Sequence, residues 1–261
     1  MGASVVRISV APVKALGLVH PDEIELGPHG VVGDRRFWLV DSDGRLYNGK
    51  RNGPMVGVRP EWDEASRRLA LTFPDGGVVE GTVELGDPVP AVMYGAPLPS
   101  HRVVGPWEDA LSELVGRPLR FLWADDGAVD RALGGGTVTL VSRSSLERLR
   151  EEAGADGPVD GRRFRMLFEI DGVRPHEEDE WLGAKVQVGG ATLVLNGDVG
   201  RCAVTTHNPD SGEVDLDTLR ALTQYRPEGR SEPLPFGVYG TVAVPGRVRV
   251  GDPVRPLLVR A

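Results

Sequence analysis

Short valine-rich or alternating apolar runs recur along almost the whole of this 261-residue chain and restrict it to a fold built mainly of strands. They occupy 5–10, 23–26, 37–40, 68–72, 78–85, 137–141, 166–170, 185–188, 192–195, 238–244 and 247–250. Asp43-Gly44, Asp75-Gly76-Gly77, Gly189-Gly190 and Pro245-Gly246 fall between runs and supply hairpin turns, because glycine accepts positive φ without a Cβ clash. Most neighbouring strands are therefore expected to be antiparallel. The 35 glycines and 21 prolines are turn punctuation, below the level of a low-complexity chain.

Three segments change to helical spacing. In 106–116, Trp107, Leu111, Leu114 and Val115 share a face, with Pro106 at the first turn and Gly116 past the end. Segment 144–153 sets Leu146 and Leu149 among charges, as a serine-capped surface helix would, and 215–222 repeats Leu216, Leu219 and Leu222. So few helices among so many strands predict a mainly β (α+β) architecture, an antiparallel β-barrel with peripheral helices. The proline- and glycine-rich stretch 94–106 is expected to separate a β-rich N-terminal lobe, 1–94, from a second domain, 95–261. Residues 156–161 read as a surface loop, and 224–237 as a flap long enough to cover a site.

A formal charge of −8 leaves no global positive field for nucleic acid or an anionic membrane, so any anionic ligand must meet a local basic cluster. No apolar run approaches ~18 residues, the start lacks a signal-peptide core, and Val6 stands where a myristoylation signal wants Ser or Thr. The expectation is a soluble cytoplasmic protein, with no membrane and no nucleic acid among its partners.

Cys202 is the only cysteine, so no intrachain disulfide can form. It lies beside Arg201 between a valine-rich stretch and a Pro-Asp-Ser-Gly turn, and reads either as a thiolate ligand or nucleophile or as a small buried hydrophobe. One cysteine and five scattered histidines do not make a structural zinc site, and Gly134-Gly135-Gly136 lacks the Lys-Ser/Thr of a phosphate-binding loop. Its backbone amides could still hold an anion. A Cys202–His207 hydrolytic pair is disfavoured if 201–206 is extended, since positions five apart face oppositely and stand roughly 16 Å apart. Lys14, Arg35, Arg36, Arg51, Arg165 and Arg201 adjoin strands and turns. Singly each reads as a solvated charge; together with a soft thiolate they suit a metal carried on an anionic organic cofactor.

At these residues the chain resembles the MOSC family, named for the C-terminal domain of molybdenum cofactor sulfurase, with the N-terminal extension of the amidoxime-reducing component and its bacterial relatives. The matching stretches are Ala11-Pro-Val-Lys14, Gly33-Asp-Arg-Arg-Phe-Trp-Leu-Val40, 140–146, Arg163-Phe-Arg165, Glu178-Asp-Glu-Trp181, Gly200-Arg-Cys-Ala-Val-Thr-Thr206 with 208–212, and Phe236-Gly-Val-Tyr-Gly240 with 246–254. The resemblance implies that Cys202 is the protein's ligand to molybdenum and its catalytic residue. It places Lys14, Arg36 and Arg165 on the pterin or its phosphate, with Arg35 as the alternative to Arg36. Arg201 would favour the deprotonated thiol, and Gly135, Gly136 and Thr137 would offer backbone and hydroxyl groups. Ala15 stands where relatives often carry Ser, and Leu167 where they carry Asn, so two side-chain contacts are missing.

The implied cofactor is molybdenum with molybdopterin, pyridoxal phosphate being not required, and the implied reaction is two-electron oxygen-atom abstraction from N-hydroxylated small molecules. Asp198 and His207 are candidate proton relays. With no cysteine-rich extension in the sequence, electrons are expected from an external donor protein such as a ferredoxin or an iron–sulfur or flavin reductase. The alternative is a carrier of the cofactor or of sulfur on Cys202, without turnover. A third class is a barrel that binds a protein or small ligand without molybdenum.

Overall fold

A computed structural model describes residues 2–50, 52–125, 128, 130 and 138–257, so Arg51, Gly135, Gly136 and Thr137 lie outside the described residues. Three α-helices occur among those described: α1 (Trp107–Val115), α2 (Arg143–Ala153) and α3 (Thr218–Tyr225). No helix among them is long and apolar enough to cross a membrane.

Seven strands form one sheet in the order Ser4–Ile8, Phe168–Asp171, Val138–Ser142, Pro235–Val244, Ala191–Gly200, Lys185–Val188, Val254–Leu257. Its outer strands meet through a bridge from Ser4 to Pro253 and a hydrogen bond from Val254 N to Ala3 O of 2.8 Å. The sheet is thus a nearly closed barrel, which leaves little edge unpaired. Alternation along its strands fills it. Val186 and Val188 are buried while Lys185 and Gln187 are not, and Val5, Ile8, Leu140, Phe168, Leu193 and Val238 join them in one apolar cluster. Each such side chain contributes about 1.5–3 kcal/mol of transfer free energy.

The expected antiparallel pairing holds for every pair of this sheet except Val138–Ser142 with Phe168–Asp171, which run parallel. A parallel pair needs a crossover, and α2 lies within it. The helix starts where Ser142 Oγ accepts the Ser145 amide at 3.2 Å. α3 begins three residues later than the leucine spacing suggests, because Asp217, not Asp215, caps it by accepting the Arg220 amide at 3.0 Å.

A second, five-stranded sheet runs Leu46–Tyr47, Phe37–Val40, Arg120–Ala124, Ser100–Val104, Glu84–Pro88, beside a three-stranded sheet of Arg59–Asp63, Arg68–Thr72 and Val78–Thr82. Phe37, Phe121, Leu69, Leu71 and the α1 residues Trp107 and Leu111 form its core, with Phe37 and Phe121 stacked at 5.4 Å.

The break expected between residues 94 and 95 is not where the sheets divide. Residues 100–104 and 120–124 complete the five-stranded sheet, while Ser4–Ile8 belongs to the seven-stranded one and Glu23–Gly27 pairs with Gly246–Arg249. The prolines and glycines of 94–106 mark a short hairpin, Val92–Met93 with Ala96–Pro97, whose turn uses Gly95 at φ 87°.

A buried carboxyl ties α2 to the barrel wall. Glu178, 0% exposed, accepts from Ser145 Oγ at 2.7 Å and from Ser142 N at 3.1 Å. Burial pushes it above the usual carboxylate range, against the pull of those hydrogen bonds. A folded value above the unfolded one means that stability is fully present below the ordinary carboxylate value and declines as pH rises through the raised one. Glu178→Gln keeps an accepting oxygen and removes the ionisation. Urea unfolding at about pH 5 and about pH 8 is expected to show a smaller decline for the variant; equal declines would place the ionisation elsewhere.

Candidate functional site

The thiol is set by what happens at the end of Ala191–Gly200. There Gly200 N donates to Glu232 at 2.9 Å and Arg201 N to Leu234 O at 3.2 Å, so the 224–237 segment is laid against the strand end. Asp198, 2% exposed, fixes the same segment by accepting from the amides of Arg230 and Ser231. After extended Cys202, Ala203–Thr206 turns into a 3-10 helix, and both the Thr205 amide and its hydroxyl donate to Cys202 O at 3.1 Å. The backbone is held on the carbonyl side, and the half-buried thiol lines a cavity of about 490 Å³.

The same cavity is lined by cations. Residues 11–14 run beside 35–37, with Lys14 N donating to Phe37 O at 2.8 Å and Arg35 N to Ala11 O at 2.6 Å, which sets Lys14 and Arg35 on the same wall. Arg165 joins them from the end of the 3-10 helix Gly161–Phe164, its carbonyl accepting from Arg35 Nη2 at 3.0 Å. Ala15, Arg35, Tyr94 and Arg165 all have positive φ and all line this cavity, a concentration of backbone strain that functional sites share.

The three cations are not equally compensated. Arg35 is ion-paired with buried Asp34, and its Nε lies 3.4 Å from Asp130, which also meets Lys14 Nζ at 3.4 Å. Burial opposes the charge on Arg35, but Asp130 and Asp34 outweigh it and raise its pKa. Burial lowers Lys14 despite Asp130. Burial and then the neighbouring Arg35 push Arg165 down to about 10. No carboxylate approaches Arg165 within 4.0 Å among the described residues, and its Nη2 is buried without a hydrogen-bond partner. The wall therefore gains from an anion placed against it.

Arg35, not Arg36, belongs to this wall. The left-handed turn at Arg35 (φ 48°) sends the two side chains apart, and Arg36 lies over Trp123 at 4.6 Å, donating to the carbonyls of Ala124 and Asp125. Arg201 lines the cavity, yet its guanidinium is directed to Phe236 O, to Phe164 O at 2.9 Å and to Met166 Sδ at 2.8 Å, which joins three segments of the site. Leu167, in the place of an expected asparagine, is a core residue at 2% exposure.

The stretch 201–206 is not extended, so the spacing argument against a Cys202–His207 pair does not apply. The two residues nonetheless line different cavities. Asp198 and His207 do not line the Cys202 cavity either, which removes the geometric basis for either as a relay there. Asn48, Tyr94, Asp130, Thr139, Glu232 and Tyr239 do line it. Of these, Asn48, the flap that carries Glu232 and the stretch that carries Tyr239 are marked in the sequence, whereas Asp130 and Thr139 carry no signal as site residues there.

The MOSC N-terminal beta barrel domain matches residues 2–91 and the MOSC domain matches residues 131–255. A molybdenum cofactor sulfurase of Anopheles gambiae is 29% identical over 91% of this chain and 34% of its own length. The mitochondrial amidoxime-reducing component 1 of Xenopus laevis is 35% identical over 45% of this chain and 35% of its own. The matched segments thus span about a third of each relative. The crystal structure of the YUAD protein from Bacillus subtilis aligns with 97% of this chain and 94% of that one, at 12% identity and a TM-score of 0.47. The two domain matches follow one another along most of the sequence, and the chain belongs to the family that joins a MOSC N-terminal β-barrel domain to a MOSC domain.

Proposed function

We infer that this protein binds molybdenum with molybdopterin through Cys202 and reduces N-hydroxylated small molecules by two-electron removal of oxygen, with electrons from a separate donor protein. The observation that carries the reading is one cavity lined both by the chain's sole cysteine and by Lys14, Arg35 and Arg165. The residues fit the group. A soft sulfur donor suits molybdenum, while a buried guanidinium nitrogen without a partner, at Arg165 Nη2, suits the phosphate oxygen of an anionic pterin. When bound, the molybdenum supplies the redox chemistry.

The chain's own residues bind, orient and enclose. Cys202 Sγ would ligate the metal. Lys14 and Arg165 would take the anionic end, and Arg35, locked by Asp34, would keep Arg165 in place through its carbonyl. The flap segment carrying Glu232 rests on Gly200 and narrows the approach of water from that side.

A carrier reading is favoured by one finding, that the relative matching 91% of this chain is named a molybdenum cofactor sulfurase. Purified protein, expressed with ample cofactor and assayed with a reduced viologen dye, separates the two. Reduction of an amidoxime by metal-loaded protein is expected; full loading with no reduction of any N-hydroxylated compound would establish the carrier. Arg165→Met is expected to lower cofactor retention by roughly 10-fold or more, since it removes a charge-assisted contact worth about 1.5–3 kcal/mol. Retention of a full equivalent would remove Arg165 from the binding wall.

A further inference from the structure

A second basic crevice shares Arg165 and Val204 with the Cys202 cavity. It is lined by Arg59, Arg162, Arg163, Arg165, His20 and His207, with Asp210 as its carboxylate, and none of these except Arg165 touches the Cys202 cavity. Asp210 is already engaged by both terminal nitrogens of Arg162, at 2.8 and 2.7 Å, and Asp215 holds Arg163 at 2.6 Å. Arg59 and Arg165 have no carboxylate within 4.0 Å among the described residues. Arg163 and His207, each 8% exposed, leave Nε and Nδ1 buried without partners. Burial and the nearby Arg163 lower His207, so it is a neutral ring able to donate from Nδ1 in one tautomer.

Unsatisfied buried donors at a cation-rich opening call for an acceptor-only ligand, because each orphan costs about 1–3 kcal/mol when left dry. Size narrows the choice. The crevice encloses about 50 Å³ of solvent space, room for roughly three to five water-sized groups. That matches one tetrahedral oxyanion and is about a tenth of the space of the Cys202 cavity, about 490 Å³.

We propose that this crevice is a binding site for a single oxyanion of phosphate or sulfate size, separate from the Cys202 cavity. Arg59 closes it from one side and Arg165 from the other. Since Arg165 also faces the Cys202 cavity, the two occupancies are thermodynamically linked, each altering the affinity of the other by the same factor.

The test titrates the whole chain with potassium phosphate, and with sulfate, against potassium chloride at matched ionic strength, following thermal unfolding and calorimetric heat. Saturable stabilisation beyond chloride is expected. With every protein prepared free of cofactor, Arg59→Met is expected to weaken phosphate at least tenfold, and Lys14→Met and Cys202→Ala to leave it unchanged; Arg59 is exposed, so its loss leaves the fold intact. Glycerol phosphate as competitor separates the sources: competition equal to orthophosphate marks the anion as the end group of a larger ligand, and none marks it as free. No advantage of phosphate over chloride overturns the proposal. So does binding abolished by Lys14→Met and untouched by Arg59→Met, which would place the anion on the thiol's cavity wall.

Discussion

Cys202→Ala is expected to empty the protein of molybdenum while leaving it folded. Partners that merely orient a metal's ligands already change affinity by about 10–100-fold, so removing a ligand itself should exceed that range. Elemental analysis of protein expressed with ample cofactor should fall from near one equivalent to below about a tenth. The cost to folding should be within about 1 kcal/mol, because the side chain is half-buried at a cavity wall and its backbone is held by Thr205 through the Cys202 carbonyl. Urea midpoints should therefore coincide with those of wild-type protein prepared without cofactor. Undiminished molybdenum in the variant would refute the ligand assignment, and a collapse of stability would make the cysteine a core residue.

Arg35→Met should have the largest effect on stability of any substitution in the site. Arg35 and Asp34 are 7% and 5% exposed and paired with each other, and Asp34 also accepts the Ala11 amide at 2.8 Å. Removing one member of a buried pair leaves the other charge uncompensated, at a cost of about 3–5 kcal/mol. For a domain of this size that lowers Tm by roughly 10 °C. Arg35→Lys restores only part, since an ammonium cannot reproduce the fork that meets Asp34, Asp130 and the Arg165 carbonyl together. Arg36→Met, which removes an aromatic stacking contact and hydrogen bonds at the surface, should cost under about 1 kcal/mol. Calorimetry of the three variants decides it, and similar losses for Arg35→Met and Arg36→Met would show that the buried pair contributes nothing special. Asp34→Asn combined with Arg35→Met should recover part of the loss, the signature of coupled sites.

The same pair shows where reading from sequence stops. Gly33-Asp-Arg-Arg-Phe37 marks the position of a cation, but which arginine faces inward depends on the backbone at Arg35. Its left-handed φ is stabilised by the hydrogen bond that the Arg35 amide donates to Ala11 O, more than twenty residues away. Strands whose partners lie far along the chain were hard to read for a related reason. Arg59–Asp63 and Val254–Leu257 each contain proline, and Arg120–Ala124 begins two residues after Pro118, so their local pattern suggests interruption. Phe121 is nonetheless stacked on Phe37, and Val254 closes the barrel against Ala3. The argument against a Cys202–His207 pair depends on 201–206 being extended, yet hydrogen bonds from Thr205 to Cys202 O wind it into a turn.

The sequence by itself determined the strand-rich class, the positions of the three helices to within a few residues, and the kinds of group available: one thiol and a scatter of arginines around it. Those properties are local, set by side-chain period, turn chemistry and composition. Tertiary structure alone decided that Lys14, Arg35 and Arg165 line one cavity with Cys202, that Arg201 is occupied by two neighbouring segments, and that Arg165 also lines a second crevice. Such facts follow from which distant strands pair and where buried charges find partners, and neither is encoded in the spacing of neighbouring residues.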